Sequence, residues 1–201
     1  MGTRETASPP NRSFSADGRV LAFVLAANNL VRAPDGSDGG ADLSGDGSLD
    51  DTLLAMLDSS SGIVTPLCPA EQVVVADERA AFLRPESAGK CAHEAVVGGR
   101  DLNGDGDTED LVVHIVGPQH GVENLGLGAT AIDLSGALLA AVITEDGPGE
   151  VRVFDLVSGQ WAPTGQAADA IAVAGATVAF TTPEAAQVKT ATRASPAGPT
   201  S

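Results

Sequence analysis

Leu138-Leu-Ala-Ala-Val-Ile-Thr144, then Glu145-Asp-Gly-Pro-Gly-Glu150, then Val151-Arg-Val-Phe-Asp155 is the stretch from which the fold is read. Two apolar runs of strand length flank a short polar turn rich in glycine, the pattern of a β-hairpin. Equivalent runs occur earlier but farther apart. Val20-Leu-Ala-Phe-Val-Leu25 precedes Thr52-Leu-Leu-Ala-Met-Leu57, and a run around Phe82 precedes Leu111-Val-Val-His-Ile-Val116. The landmarks keep a fixed offset. Phe23 to Phe82 (82 − 23 = 59), Gly62 to Gly121, Ile63 to Val122 and Ala81 to Ala140 all share it, whereas Gly136 to Gly175 gives 175 − 136 = 39. The shorter offset is the basic unit, and the first two copies are lengthened by an insertion between their first and second strands.

Each unit continues with a turn and two further segments. Asp58-Ser-Ser-Ser-Gly62, Gly117-Pro-Gln-His-Gly121 and Asp155-Leu-Val-Ser-Gly159 read as turns in which glycine supplies positive φ. A third strand follows, and then a short closing strand such as Gln72-Val-Val-Val75 or Ala170-Ile-Ala-Val173. Four strands recurring at about 40 residues is the period of a β-propeller blade, and no segment sustains a helical period. The expectation is an all-β chain: a polar tail over 1–14, propeller-like repeats over 15–185, and an irregular tail over 186–201. Three complete units are expected near 16–75, 76–134 and 135–173, with only the first strand of a fourth in 174–185, so the propeller is incomplete. Unpaired apolar blades favour self-association.

The insertions are acidic and match each other. Asp42-Leu-Ser44-Gly-Asp46-Gly-Ser48-Leu-Asp50-Asp51 and Asp101-Leu-Asn103-Gly-Asp105-Gly-Asp107-Thr-Glu109-Asp110 place oxygen-bearing side chains at positions 1, 3, 5 and 10, with glycine at 6. Hard cations such as calcium are wrapped by short loops of this composition, and two sites are expected. An affinity on the order of 10⁻⁴–10⁻³ M, the extracellular range, suits loops with no helices to pre-form them.

At Asp101-Leu-Asn-Gly-Asp-Gly and the following Leu111-Val-Val, the chain resembles the calcium-binding blades of FG-GAP, integrin-alpha-like β-propellers. In that family the acidic loop joins the first and second strands of a blade. The resemblance implies that Asp42, Ser44, Asp46, Asp101, Asn103 and Asp105 are side-chain ligands, and that Ser48 and Asp107 contribute backbone carbonyls. The family closes its loop with an acid at position 9. Both loops here carry acids at 9 and 10, Asp50-Asp51 and Glu109-Asp110, and which member of each pair binds stays open. An EF-hand or dockerin-like module is the competing calcium reading. It requires flanking helices and an acid at position 12, where this chain has Leu53 and Val112.

Composition bounds the rest. The chain has 201 residues, 43% hydrophobic but only 3% aromatic, so a core must be built from Ala, Val and Leu. Abundant Ala and Gly with two lysines suggest a bacterial source. A net charge of −16 opposes binding to nucleic acid or anionic membranes. No segment is apolar enough for a signal peptide or a spanning helix. The loops imply an extracellular or cell-surface setting with structural calcium, where the chain serves adhesion, assembly or interaction with a protein or glycan. The alternative is the non-catalytic part of a propeller-fold hydrolase or lyase.

Other features carry less. Glu86, Glu145 and Glu184 share one phase, and a polar strand end accounts for them better than a ligand role, because the third unit has no acidic loop. Gly126-Leu-Gly128-Ala-Thr-Ala131 fits a dinucleotide string but falls where a third strand is due. Cys91-Ala-His93-Glu94 lacks a second metal-binding pair and reads as a surface loop, and His114 reads as a core or edge histidine. No nucleophile elbow, phosphate loop or metalloprotease helix is present, and no enzyme is expected. Cys68 and Cys91 are equally compatible with a bridge and with two buried thiols.

Overall fold

The computed structural model describes residues 12–14, 20–25, 52–88, 90–91, 100–117, 120–144 and 149–182. Thirteen strands and no helix occupy them: β1 (Arg12–Phe14), β2 (Val20–Leu25), β3 (Leu53–Asp58), β4 (Ile63–Pro69), β5 (Gln72–Ala76), β6 (Arg79–Pro85), β7 (Leu111–Gly117), β8 (His120–Ser135), β9 (Leu138–Ile143), β10 (Glu150–Asp155), β11 (Gln160–Ala167), β12 (Ala170–Ala174) and β13 (Thr177–Thr181). All pairs are antiparallel. They form a four-stranded sheet β1-β2-β3-β4, a seven-stranded sheet running from β5 to β11 in chain order, and the pair β12-β13.

The seven-stranded sheet curls because β8 serves two neighbourhoods. Its first part pairs with β7 as far as Gly128 opposite Val112, and from Ala129 it pairs with β9. Edge strand β5 folds back onto β8, and β12 packs on β8 from beyond the sheet. Gln72 locks the first of these contacts, donating from Nε2 to the Ile132 carbonyl at 3.0 Å and accepting from the Ile132 amide at 3.3 Å. Asp133 and Ser135 lock the second, accepting the amides of Val173 at 2.6 Å and Gly175 at 3.0 Å.

Local turn chemistry explains most strand ends. Gly62 and Gly159 adopt φ of +70° and +67° and close β3-β4 and β10-β11, with Asp58 and Asp155 accepting turn amides. The β7-β8 connection differs from the sequence expectation: Gly117 already pairs with His120, so Gly121 lies inside β8. Asp77 and Glu78 both take positive φ in the two-residue β5-β6 hairpin, as a primed turn demands.

Two assignments need correction. Gln72–Val75 and Ala170–Val173 do not close the preceding sheets; β5 pairs with β6, and β12 pairs with β13. Both segments are short apolar runs beside a tight turn, and the turn couples each to the strand after it. Among the described residues the fourth unit consequently shows two strands, β12 and β13, where the sequence suggests one. The string Gly126–Ala131 is part of β8.

The core lies between the sheets. Ala22, Leu54, Cys68, Val73, Phe82 and Cys91 meet between the first and second sheets. Ala81, Leu83, Ile115, Ile132, Leu139 and Phe154 fill the curl of the second. His114 is a core histidine, 2% exposed and stacked on Phe82 at 5.4 Å. The first acidic loop, Asp42 to Asp51, and Glu145, Glu184, His93 and Glu94 lie outside the described residues. Among those that are described, no helix is long and apolar enough to cross a membrane.

Candidate metal site

The second acidic insertion sits between β6 and β7, which run side by side from Ala80 opposite Val116 to Pro85 opposite Leu111. Because β5 precedes β6 in the sheet, the insertion joins the second and third strands of its meander, not the first and second. β7 follows it directly with Val112, at position 12, buried in that strand, so the helix and the acid that an EF-hand needs there are replaced by an apolar strand.

Glu86 organises the loop from beneath. It follows β6 directly, at the strand end the sequence leads one to expect, but it is 1% exposed. Its backbone amide donates to the Asp110 carbonyl at 2.9 Å, and its own carbonyl accepts from Arg100 at 3.2 Å. Its carboxylate accepts the amide of Leu102 and, at 3.3 and 3.4 Å, those of Asn103 and Asp110. A buried carboxylate needs such donors, since burying it unpaired would be costly.

Above it the loop folds on its own acids. Asp101 accepts the amides of Gly104 and Gly106, glycines whose φ of +85° and +104° let the chain turn sharply. Asp105 accepts the Asp107 amide at 3.1 Å, and Asp107 accepts the Glu109 amide at 2.9 Å. Asn103 donates from Nδ2 to Asp105 at 3.1 Å and to Asp110 at 3.0 Å. Asn124 of β8 pins the Leu102 carbonyl at 2.7 Å.

Carboxylate oxygens of Glu86, Asp107 and Asp110 lie within 4.8 Å of one another, a group able to hold a metal ion. Oxygens bound to one calcium at about 2.3–2.6 Å stand no more than about 5 Å apart, so the spacing fits a shared cation. Asp110 is half-buried and faces this group, whereas Glu109 is exposed and outside it. Sequence reasoning ranks a ligand role for Glu86 below that of a polar strand end; its place at the end of Phe82-x-x-Pro85-Glu86, just ahead of the acidic loop, is the signal that it can join the acidic group.

Electrostatics mark Asp110 as the strained member. Burial, the hydrogen bond with Asp105, and the charges of Asp105 and Asp107 push its carboxyl up to about 6, against the pull of Asn103. Asp105 is held below the usual range, chiefly by the Asp107 amide. A raised folded-state value means that Asp110 favours folding of the metal-free protein most fully below its unfolded value of 3.8, and that this contribution is lost as pH rises through about 6. Metal-free Asp110→Asn protein should therefore be more stable than the parent at pH 7 and lose that advantage at acid pH, while binding less metal. Urea unfolding in chelator at both pH values checks the sign.

Cys68 of β4 and Cys91, which lies a few positions beyond Glu86, form a disulfide, which resolves the choice between a bridge and free thiols. Both residues are buried, and the bridge takes up the Cys91 sulfur, so Cys91 cannot act as a thiolate ligand. No protein-family model matches the chain, and no curated protein is similar to it.

Proposed function

We propose that this chain is a calcium-binding β-propeller-type repeat protein in which the metal is structural. The observation that carries this is the buried Glu86 carboxylate gathered with Asp107 and Asp110 beneath the D-x-N-x-D-G loop at Asp101, whose counterpart begins one repeat earlier at Asp42. Asp101, Asn103 and Asp105 complete the ligand set in this reading, with Asp110 as the closing acid. Asp42, Ser44, Asp46, Ser48 and the Asp50-Asp51 pair supply the second site. The propeller reading draws support from the meander. β1, β5, the later part of β8, and β12 each open a run of antiparallel strands, and the first three pack in turn on the strand that opens the next run. The disulfide suits an oxidising, extracellular or cell-surface compartment, where adhesion or assembly with a protein or glycan is the role.

Thermal melts with calcium and magnesium at equal concentration test the metal. Calcium should raise Tm clearly and magnesium much less, because magnesium requires near-ideal octahedral geometry and gives up water reluctantly. Equal stabilisation by both ions would reduce the loops to charge screening.

A further inference from the structure

Of the asparagines in the chain, only Asn103 is followed by glycine. That pair is the most reactive setting for an asparagine, because glycine has no Cβ to keep the carboxamide away from its backbone nitrogen. In this loop the approach is open: a Cβ built on Gly104 would meet nothing within 4 Å. Three atoms take part, besides the carboxamide carbon, when the Gly104 nitrogen attacks the Asn103 side chain, and the loop engages each of them. The Gly104 N–H donates to Asp101 Oδ1 at 2.5 Å, so a carboxylate stands where the nucleophile's proton must go. Asn103 Oδ1, on which negative charge develops, accepts the Asp105 amide at 3.3 Å. Nδ2, the leaving nitrogen, donates to Asp105 at 3.1 Å and to Asp110 at 3.0 Å, which fixes the carboxamide in one orientation. The bond from the Asp105 amide also bends the Asn103 side chain forward over the peptide that follows it, which is the Gly104 side.

We infer that Asn103 is a site of spontaneous covalent modification, cyclising onto the Gly104 nitrogen with Asp101 as the proton acceptor. The bond from Gly104 N to Asn103 Cγ forms and the Cγ–Nδ2 bond breaks. The proton taken by Asp101 leaves with Nδ2 as ammonia, and a cyclic imide remains. Water then opens the imide at either carbonyl, leaving aspartate at position 103 or its isomer, in which the backbone runs through the former side chain. Both products lose the Nδ2 donor that Asp105 and Asp110 share, and both add a carboxylate beside them. The isomer also lengthens the backbone between Asp101 and Asp105. The modified loop repels itself more strongly, and the amide is not regained. This rests on the hydrogen bonds of the loop and not on the metal, so it is tested in chelator, and its failure leaves the calcium reading untouched.

Metal-free protein is incubated folded and, in parallel, in urea, at neutral pH and one temperature, and peptide mass spectrometry follows Asn103 and Asn124. Asn103 should gain the mass difference between an amide and an acid, as both isomers, at least as fast in the folded protein as in urea. Asn124, which is followed by leucine within β8, should stay intact. Asp101→Asn keeps an oxygen for the Gly104 amide but is a far weaker base. It should slow the folded reaction by about tenfold or more, less than a positioned base typically contributes, and leave the rate in urea unchanged. Circular dichroism checks that the variant folds, and the comparison of folded with unfolded parent stands without it. A slower reaction in the folded parent than in urea overturns the proposal, since the fold would then be protecting Asn103. So does a folded Asp101→Asn rate equal to that of the parent, and so does one lowered equally in both states.

Discussion

Glu86→Ala is expected to abolish calcium binding at the second loop and to destabilise the metal-free protein by roughly 3 kcal/mol, the scale of removing a charged acceptor from buried amides. Two effects oppose each other. Removing one carboxylate relieves repulsion with Asp107 and Asp110, which favours the metal-free fold. It also leaves the amides of Leu102, Asn103 and Asp110 without the acceptor they share. Repulsion between partly solvated groups is screened, whereas the part-buried amides beneath the loop lose a charged acceptor, so the second effect wins. Glu86→Gln separates the roles. Its remaining oxygen still accepts the Leu102 and Asn103 amides and only the longer bond from the Asp110 amide is lost, so the fold survives, but calcium affinity falls at least about tenfold, a loss of about 1.4 kcal/mol. Calorimetric titration and urea unfolding of both variants give the answer. Unaltered calcium binding by Glu86→Gln would remove Glu86 from the ligand set.

The other large effect concerns the bridge between the sheets. The disulfide joins residues 23 apart in sequence, β4 of the first sheet to the connection that leads from β6 into the acidic loop. In the chain-entropy model, closing a loop of that length stabilises by about 3 kcal/mol. Cys68 is 0% and Cys91 4% exposed, so alanine is the better replacement, because serine would bury two hydroxyls as well. The Cys68→Ala, Cys91→Ala double variant should lose about 3 kcal/mol in urea unfolding, with a steeper dependence on denaturant as the unfolded chain expands. Two titratable thiols in the denatured, unreduced parent protein would contradict the bridge itself.

A bound cation and the bridge would act on the same connection from opposite ends. Residues 86 to 110 leave the sheet after Pro85 and return at Leu111. Cys91 ties the first part to β4, and the Glu86 carboxylate ties the last part to the root of β6. The cation would neutralise what remains, the cluster in which Asp110 is already pushed up to about 6. The residues that make the metal-free loop costly are those that would make the loaded loop stable.

The repeat offsets in the sequence determined the strands and most of the turns. Hairpin ends depend on local chemistry, and Gly62 and Gly159 needed positive φ whatever the rest of the chain did. The acidic loop was legible for the same reason, since its acids and glycines lie close together in the chain, between Asp101 and Asp110. Only the tertiary structure decided which strand β5 and β12 would join, because a short apolar run such as Gln72–Val75 reads alike as the last strand of one sheet or the first of the next. The role of Glu86 was also hidden. It is separated from Asp110 by 24 residues, and only the antiparallel return of β7 along β6 brings the two together. Burial of Cys68 against Cys91 likewise required two sheets to meet. Local propensity acts through neighbours in the chain. Burial and shared charge act through neighbours in space, and a repeat of strands does not by itself state where its sheets turn to face one another.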